Sequence, residues 1–269
     1  GILPPPTAAE ALTGLILRDV DRPSNANDGS FQRPFRSPHH SASAAALAGG
    51  GGNPRPGEVS LAHGGVLFLD ELPEFNRQCL EVLREPLESG EITLSRARHR
   101  VTYPARFQLV AAMNPCPCGY LGDPQRACRC TPQQIQRYRD RISGPLLDRI
   151  DLHVPVLRLP AGDLLQAQGT GESSLAVRAR VLSCRAQQER RQGCANAQLQ
   201  PRMLAEHCPL GPSQRKRLES AATRMRLSGR GLHRTLRVAR TIADLEAVGS
   251  IENRHIAEAL AYRSHETSG

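Results

Sequence analysis

A chain of 269 residues, 39% of them apolar, has room for one large hydrophobic core or two modest ones. None of its apolar runs approaches the roughly 18 residues of a membrane-spanning helix, and the opening Gly1-Ile2-Leu3-Pro4-Pro5-Pro6 lacks the basic and apolar segments of an export signal, so a cytoplasmic protein without a membrane partner is expected. The formal charge of +9, carried mostly beyond residue 160, favours polyanions, either nucleic acid or nucleotide phosphates.

Residues 21–57 show little apolar periodicity and are rich in Pro, Gly, Asn and Ser, which predicts a functional loop or an insertion. Within them Ser41–Ala48 is helix-prone and is stopped by Gly49 to Gly52. Val66-Leu67-Phe68-Leu69 is a short continuous apolar run, the pattern of a strand buried on both faces of a parallel sheet. Residues 76–88 follow with helical spacing that puts Leu80, Leu83 and Leu87 on one face. Ile92-Thr93-Leu94 and Val101-Thr102-Tyr103 alternate as the arms of a β-hairpin whose tip, Ser95-Arg96-Ala97-Arg98-His99-Arg100, is basic. Phe107–Ala112 predicts a second buried strand and Leu152–Val156 a third, which together give the grammar of an α/β parallel sheet. Beyond residue 161 the pattern is helical, in segments 172–192, 212–227, 230–247 and 252–263. The expected organisation is an α/β core over residues 1–160, a linker over 161–173 and an all-helical lid over 174–269.

Asp70-Glu71 directly after the first buried strand carries the chemistry. A carboxylate at the mouth of a parallel sheet can hold Mg²⁺ through its water shell, and a second can polarise a water attacking a γ-phosphate. Asn114, just past the neighbouring strand, is placed to orient that water, and Arg149, ahead of the third predicted strand, to reach the nucleotide of an adjacent subunit. Arg230, in Ser228-Gly229-Arg230-Gly231, stands at a helix start where it can sense bound nucleotide, with Arg234 one turn on as its rival. Each of these residues alone reads as a solvated surface group; their order along one chain is what points to nucleotide hydrolysis.

Three longer stretches carry a resemblance. Pro34-Phe35-Arg36-Ser37-Pro38-His39-His40, the segment from Gly57 to Leu72, and Arg141-Ile142-Ser143-Gly144-Pro145-Leu146-Leu147-Asp148-Arg149 resemble the ComM/YifB family of magnesium-chelatase-like AAA+ ATPases, and the likeness extends to about residue 263. The resemblance implies an ATP- and Mg²⁺-dependent, hexameric DNA motor that promotes branch migration of incoming DNA, with the hairpin 91–103 pointing into the central pore of a ring. The departure is the phosphate-binding loop, which needs a glycine-rich turn followed by Lys and Ser or Thr. The single lysine here, Lys216, stands in Ser213-Gln214-Arg215-Lys216-Arg217 without such a turn. The chain, which also begins without Met, is therefore expected to be the distal part of a longer protein and to hydrolyse little or no ATP alone.

Cys116-Pro117-Cys118 and Cys128-Arg129-Cys130 form two C-x-C pairs, a set of four thiolates suited to a tetrahedral structural Zn²⁺, the alternative being a reduced cysteine-rich loop. His39-His40 read as surface or substrate-loop residues rather than ligands. Arg96, Arg98 and Arg100 on the hairpin suit phosphate contacts to branched or single-stranded DNA, and the scarcity of aromatic residues (3%) argues for backbone tracking over base stacking. Two other classes remain open: the motor subunit of a metal-chelatase-type remodelling complex, and a non-catalytic assembly module.

Overall fold

A computed structural model describes residues 1–21, 32–51, 54–96, 99–159, 162 and 171–263. Arg98 and the greater part of the predicted linker lie outside the described residues, as does the side chain of Arg96. The chain divides into two compact units, Pro5–Arg149 and Ile150–Gly269 with Gly1–Pro4. No helix among the described residues is long and apolar enough to cross a membrane.

The first unit is built on a parallel sheet of three strands, β1 (Phe35–Arg36), β4 (Val66–Leu69) and β7 (Gln108–Ala111), with β4 in the centre. β4 has the bounds expected from its apolar run. Leu67 and Leu69 are wholly buried, whereas Val66 and Phe68 on the other face are half-buried, so this unit packs one face of the strand rather than both. β1 interrupts the Pro- and Ser-rich stretch read as a loop or insertion. It seats beside β4 because Gly65 has no Cβ: one there would lie 2.0 Å from the Pro34 carbonyl oxygen, which instead accepts the Val66 N–H at 2.8 Å.

Ahead of the sheet, α1 (Ala8–Asp21) starts on a reciprocal cap between Thr7 and Glu10. α2 (Ala44–Ala48) is capped by Ser43 and ended by Gly49 at φ 101°, as the glycine run predicts. It is followed by a two-stranded ladder of β2 (Gly49–Gly50) and β3 (Arg55–Pro56), and by α3 (Glu58–Leu61). The helical stretch after β4 divides into α4 (Arg77–Val82) and α5 (Arg84–Ser89). Pro86 cannot donate to the carbonyl of Val82, so the helix breaks at Leu83. Leu80 and Leu83 still face the core, which gathers Leu47, Val59, Leu67, Leu69, Phe75, Ile92, Ile142 and Leu146. The hairpin pairs β5 (Glu91–Arg96) with β6 (His99–Pro104) in the register Ile92↔Tyr103, Thr93↔Thr102 and Leu94↔Val101. Two short helices, α6 (Pro132–Arg139) and α7 (Gly144–Leu147), complete the unit.

In the second unit Leu152–Val156 is not the third strand its sequence predicts. Residues 151–159 run without regular structure, Val154 is 62% and Val156 90% exposed, and no strand of this unit pairs with them among the described residues. An apolar run becomes a strand only where a neighbour accepts its ladder bonds. The rest is helical: α8 (Ser174–Gln192), α9 (Leu204–His207), α10 (Pro212–Arg224), α11 (Gly229–Leu245) and α12 (Asn253–Ala261), packed around Leu199, Leu218, Ala239, Ile242, Ile256 and Leu260. Ser173 and Ser228 cap α8 and α11, accepting from Ala176 and Gly231.

Candidate nucleotide and metal sites

The three parallel strands leave the sheet at one end, and three of the expected functional residues gather there. The ladder of β4 and β7 aligns Leu69 with Ala111, and it continues past both strands, with Ala112 N–H donating to Leu69 O and Leu72 N–H to Ala112 O, each at 2.9 Å. Asp70 and Glu71 thus emerge beside the segment that carries Asn114, and all three are exposed. Asp70 Oδ1 accepts the Glu71 N–H at 2.9 Å. Glu71 lies in the left-handed region, φ 53° and ψ 48°, and a short 3₁₀ turn (Leu72–Glu74) starts from it. A non-glycine residue holds that conformation at a cost, and such residues cluster at functional sites.

The arginines are placed less openly. Arg149 donates to Pro145 O at 2.7 Å and pairs with Glu88, leaving its side chain 10% exposed. Arg141 donates to Glu74 at 2.8 Å and stays half-exposed. In the helical unit Arg230 is exposed in the first turn of α11, while Arg234 one turn on is paired with Asp151 at 2.7 Å. On the hairpin, Arg100 is exposed.

The four cysteines close on one another. Cys116 Sγ lies 3.5 Å from Cys118 Sγ and 3.6 Å from Cys128 Sγ, and Cys118 and Cys128 are 3.6 Å apart. All four sulfurs, that of Cys130 included, fall within 4.8 Å of one another. Sulfurs about 2.3 Å from a central ion define a tetrahedron with edges of about 3.8 Å, so the donor set and its spacing fit a metal ion. Gly119 and Gly122, at φ 80° and 82°, supply the left-handed turns that fold the loop back. Thr131 then opens α6 with a capping box to Gln134. From α6 the buried Tyr138 reaches back to the backbone of Asn114, so both ends of the cysteine loop lie near that residue.

Comparison with known proteins shows the family. Residues 1–164 match the family "Magnesium chelatase, subunit ChlI" and residues 171–263 its C-terminal counterpart. The chain belongs to the ComM/YifB branch of the magnesium-chelatase-like family. It is 50% identical over 266 residues to competence protein ComM of Haemophilus influenzae, covering 98% of this chain and 52% of that protein. It is 49% identical over 265 residues to the uncharacterised protein YifB of Salmonella typhimurium, with the same coverage. An uncharacterised Mycobacterium tuberculosis protein is 45% identical over 269 residues, covering 98% of this chain and 53% of its own length. The chain thus spans about half the length of the curated relatives it matches.

For a chain of the ComM/YifB family, one contact at the sheet end had no signal in the sequence: His40 Nδ1 lies 3.2 Å from Glu71 Oε2. His39-His40 read there as surface or substrate-loop residues. Their place beside the carboxylates depends on β1, a strand of two residues and too short for any periodicity to mark it.

Proposed function

We propose that this chain supplies the hydrolytic carboxylates, the lid and a DNA-contacting hairpin of a cytoplasmic ATP-driven motor that moves along DNA as a hexameric ring. The observation that carries the reading is the convergence of Asp70, Glu71 and Asn114 at the C-terminal end of a parallel sheet, the position where such sheets take their ligands. Asp70 would hold the Mg²⁺ of bound ATP, which screens the phosphate charge. Glu71 accepts a proton from water as the water oxygen bonds the γ-phosphorus and the bond to ADP breaks, and Asn114 orients that water. Arg149 would act across a subunit boundary, and Arg230 or Arg234 would sense the nucleotide from the lid. The phosphate-binding loop, which these 269 residues do not contain, would come from the rest of the whole protein.

Cys116, Cys118, Cys128 and Cys130 would hold one structural Zn²⁺, as the sulfur spacing supports. Arg96, Arg98 and Arg100 would contact DNA phosphates without reading sequence. The name of the Haemophilus relative, a competence protein, supports branch migration during recombination as the task. The ChlI match supports a second reading, a motor that remodels a partner enzyme inserting a metal ion into a porphyrin; ATP turnover raised by branched DNA, and lowered when the hairpin arginines are removed, separates the two.

The decisive experiment is Glu71→Gln in the full-length protein. Turnover should fall to background while ATP binding persists, and residues 1–269 alone should hydrolyse no ATP. Undiminished turnover by Glu71→Gln, or ordinary turnover by the isolated chain, would overturn the assignment.

A further inference from the structure

Several exposed arginines of the helical unit sit beside carboxylates: Arg180 pairs with Glu172 at 2.7 Å, Arg185 with Glu189 at 3.3 Å and Arg254 with Glu246 at 3.0 Å. α10 and the turn after it are built differently. Lys216, Arg217, Arg224 and Arg226 are all exposed, and among the described residues none of the four is ion-paired. Helical spacing gathers them. Arg217, Ser220 and Arg224 stand at i, i+3 and i+7 on one flank of α10, away from the buried Leu218 and Ala221. Lys216 stands between this flank and that of Glu219, the one acid over residues 212–226. Arg226 follows two residues beyond Arg224.

The arrangement costs the fold stability in two places. α10 has no acid in its first turn, and Arg215, Lys216 and Arg217 cluster near the end where the helix dipole favours anions. Arg226 lies in the left-handed region, φ 51°, and the Leu227 N–H closes the helix on Ala222 O at 3.0 Å. Glycine takes such a position without strain. Exposed cations return no packing for these costs; a polyanion laid along them would. The surrounding chemistry selects which one. Residues 212–231 include no aromatic side chain, so bases have nothing to stack on. No large apolar side chain of α10 is exposed, so the helix lacks the anchor of a lipid-binding face. From Lys216 to Arg224 the helix rises about 12 Å, a length over which duplex DNA carries about seven phosphate charges. The exposed Ser220 adds a hydroxyl, a donor that phosphates accept from.

We propose that Lys216, Arg217, Arg224 and Arg226 form a second DNA-contacting surface, on the helical unit, that binds the phosphate backbone without reading sequence. It is separate in the chain from the hairpin arginines and from Arg230 and Arg234. The inference rests on the reading of this chain as part of a DNA motor and adds a contact that the lid itself makes.

The test is a salt titration of duplex DNA affinity with the full-length protein carrying Lys216→Ala, Arg217→Ala, Arg224→Ala and Arg226→Gly together. The slope of log K against log salt should flatten by roughly 2 to 4 units, and affinity near about 0.1 M salt should fall by roughly 10- to 100-fold. ATP turnover without DNA should stay at the wild-type rate. A control carrying Arg180→Ala, Arg185→Ala and Arg254→Ala loses cations that are already paired, and its slope should hold. An unchanged slope in the fourfold variant overturns the proposal, as does equal flattening in the control, which would make net charge rather than this face responsible. An unchanged DNA slope with lost binding to polyglutamate overturns it too and reassigns the face to an acidic protein. If the fourfold variant fails to fold, Arg226→Gly alone carries the comparison, because glycine relieves the left-handed position. It should flatten the slope by about one unit, and an unchanged slope there overturns the proposal. Failure of the parent reading looks different: the unaltered protein would then bind no DNA at any salt, and the proposal falls with it.

Discussion

The guanidinium of Arg149 pairs with the Glu88 carboxylate at the end of α5 and donates to Pro145 O at 2.7 Å. A side chain held in that way is preorganised but committed within its own unit. To reach a neighbouring subunit's nucleotide it has to leave Glu88, and the half-exposed carboxylate can then be solvated. Replacing Arg149 by Ala in the full-length oligomer should lower ATP turnover by on the order of 10³-fold. Mixing that protein with the Glu71→Gln variant should restore some turnover, because some interfaces then receive an intact Arg149 and an intact Glu71 together. Normal turnover in Arg149→Ala would move the role elsewhere, and Arg141, half-exposed beside Glu74, is the next candidate.

The hairpin makes a prediction that does not depend on nucleotide. Changing Arg96, Arg98 and Arg100 to Ala should weaken binding to every DNA sequence alike. If all three contact phosphates, the slope of log K against log salt should flatten by roughly 2 to 3 units, since fewer counterions are released. The measurement is a salt titration of DNA affinity. An unchanged slope would shift the contact surface to the basic helical unit.

Acid should remove from that helical unit the stability that Asp244 contributes. This carboxylate is 3% exposed and accepts from Arg191 at 2.6 and 2.9 Å, from Arg240 at 3.1 Å and from Asn196 at 2.8 Å. Burial opposes its ionisation, but the hydrogen bonds from Arg191 and Asn196 and the charges of Arg240 and Arg191 outweigh that and hold it below the usual carboxylate range. Its contribution is therefore complete above the unfolded value of about 3.9 and is lost as pH falls through the lower folded one. Asp244→Asn leaves the buried Arg240 without its counter-charge and should cost about 3–5 kcal/mol at neutral pH. Urea denaturation of both proteins at pH 7 and pH 3 checks this, because the difference between them should shrink in acid.

Local pattern carried much of this structure. The apolar run of β4, the hairpin register and the capped helices of the second unit are all legible, because each depends on residues close in sequence. So is the carboxylate pair, since a strand end places whatever follows it. What escaped depends on distant partners. Leu152–Val156 has the composition of a strand but pairs with no strand of its unit among the described residues, and β1 is a strand because Gly65 admits the Pro34 carbonyl. The pairing of His40 with Glu71, and the burial of Arg149 against Glu88, are likewise products of packing and leave no spacing to read.

The cysteine loop offers the sharpest test, because its spacing in sequence and its geometry in space speak to the same ion. Three sulfur–sulfur separations of 3.5–3.6 Å are close to the edge of a tetrahedron of thiolates around a metal. Purified protein should carry about one Zn²⁺ per chain, in a closed site without an open position for chemistry. Its effect should be local. The loop starts from Asn114, and Tyr138 returns to the Asn114 backbone from α6, so releasing the ion frees the segment between those anchors and lets the Asn114 side chain wander. Chelation, or Cys128→Ser with Cys130→Ser, should therefore reduce turnover by the full-length protein while ATP binding is largely kept. Elemental analysis of protein prepared without added metal or chelator decides the matter. Protein free of zinc with all four thiols open to alkylation would make these residues a reduced loop, and the loss of turnover would then need another cause.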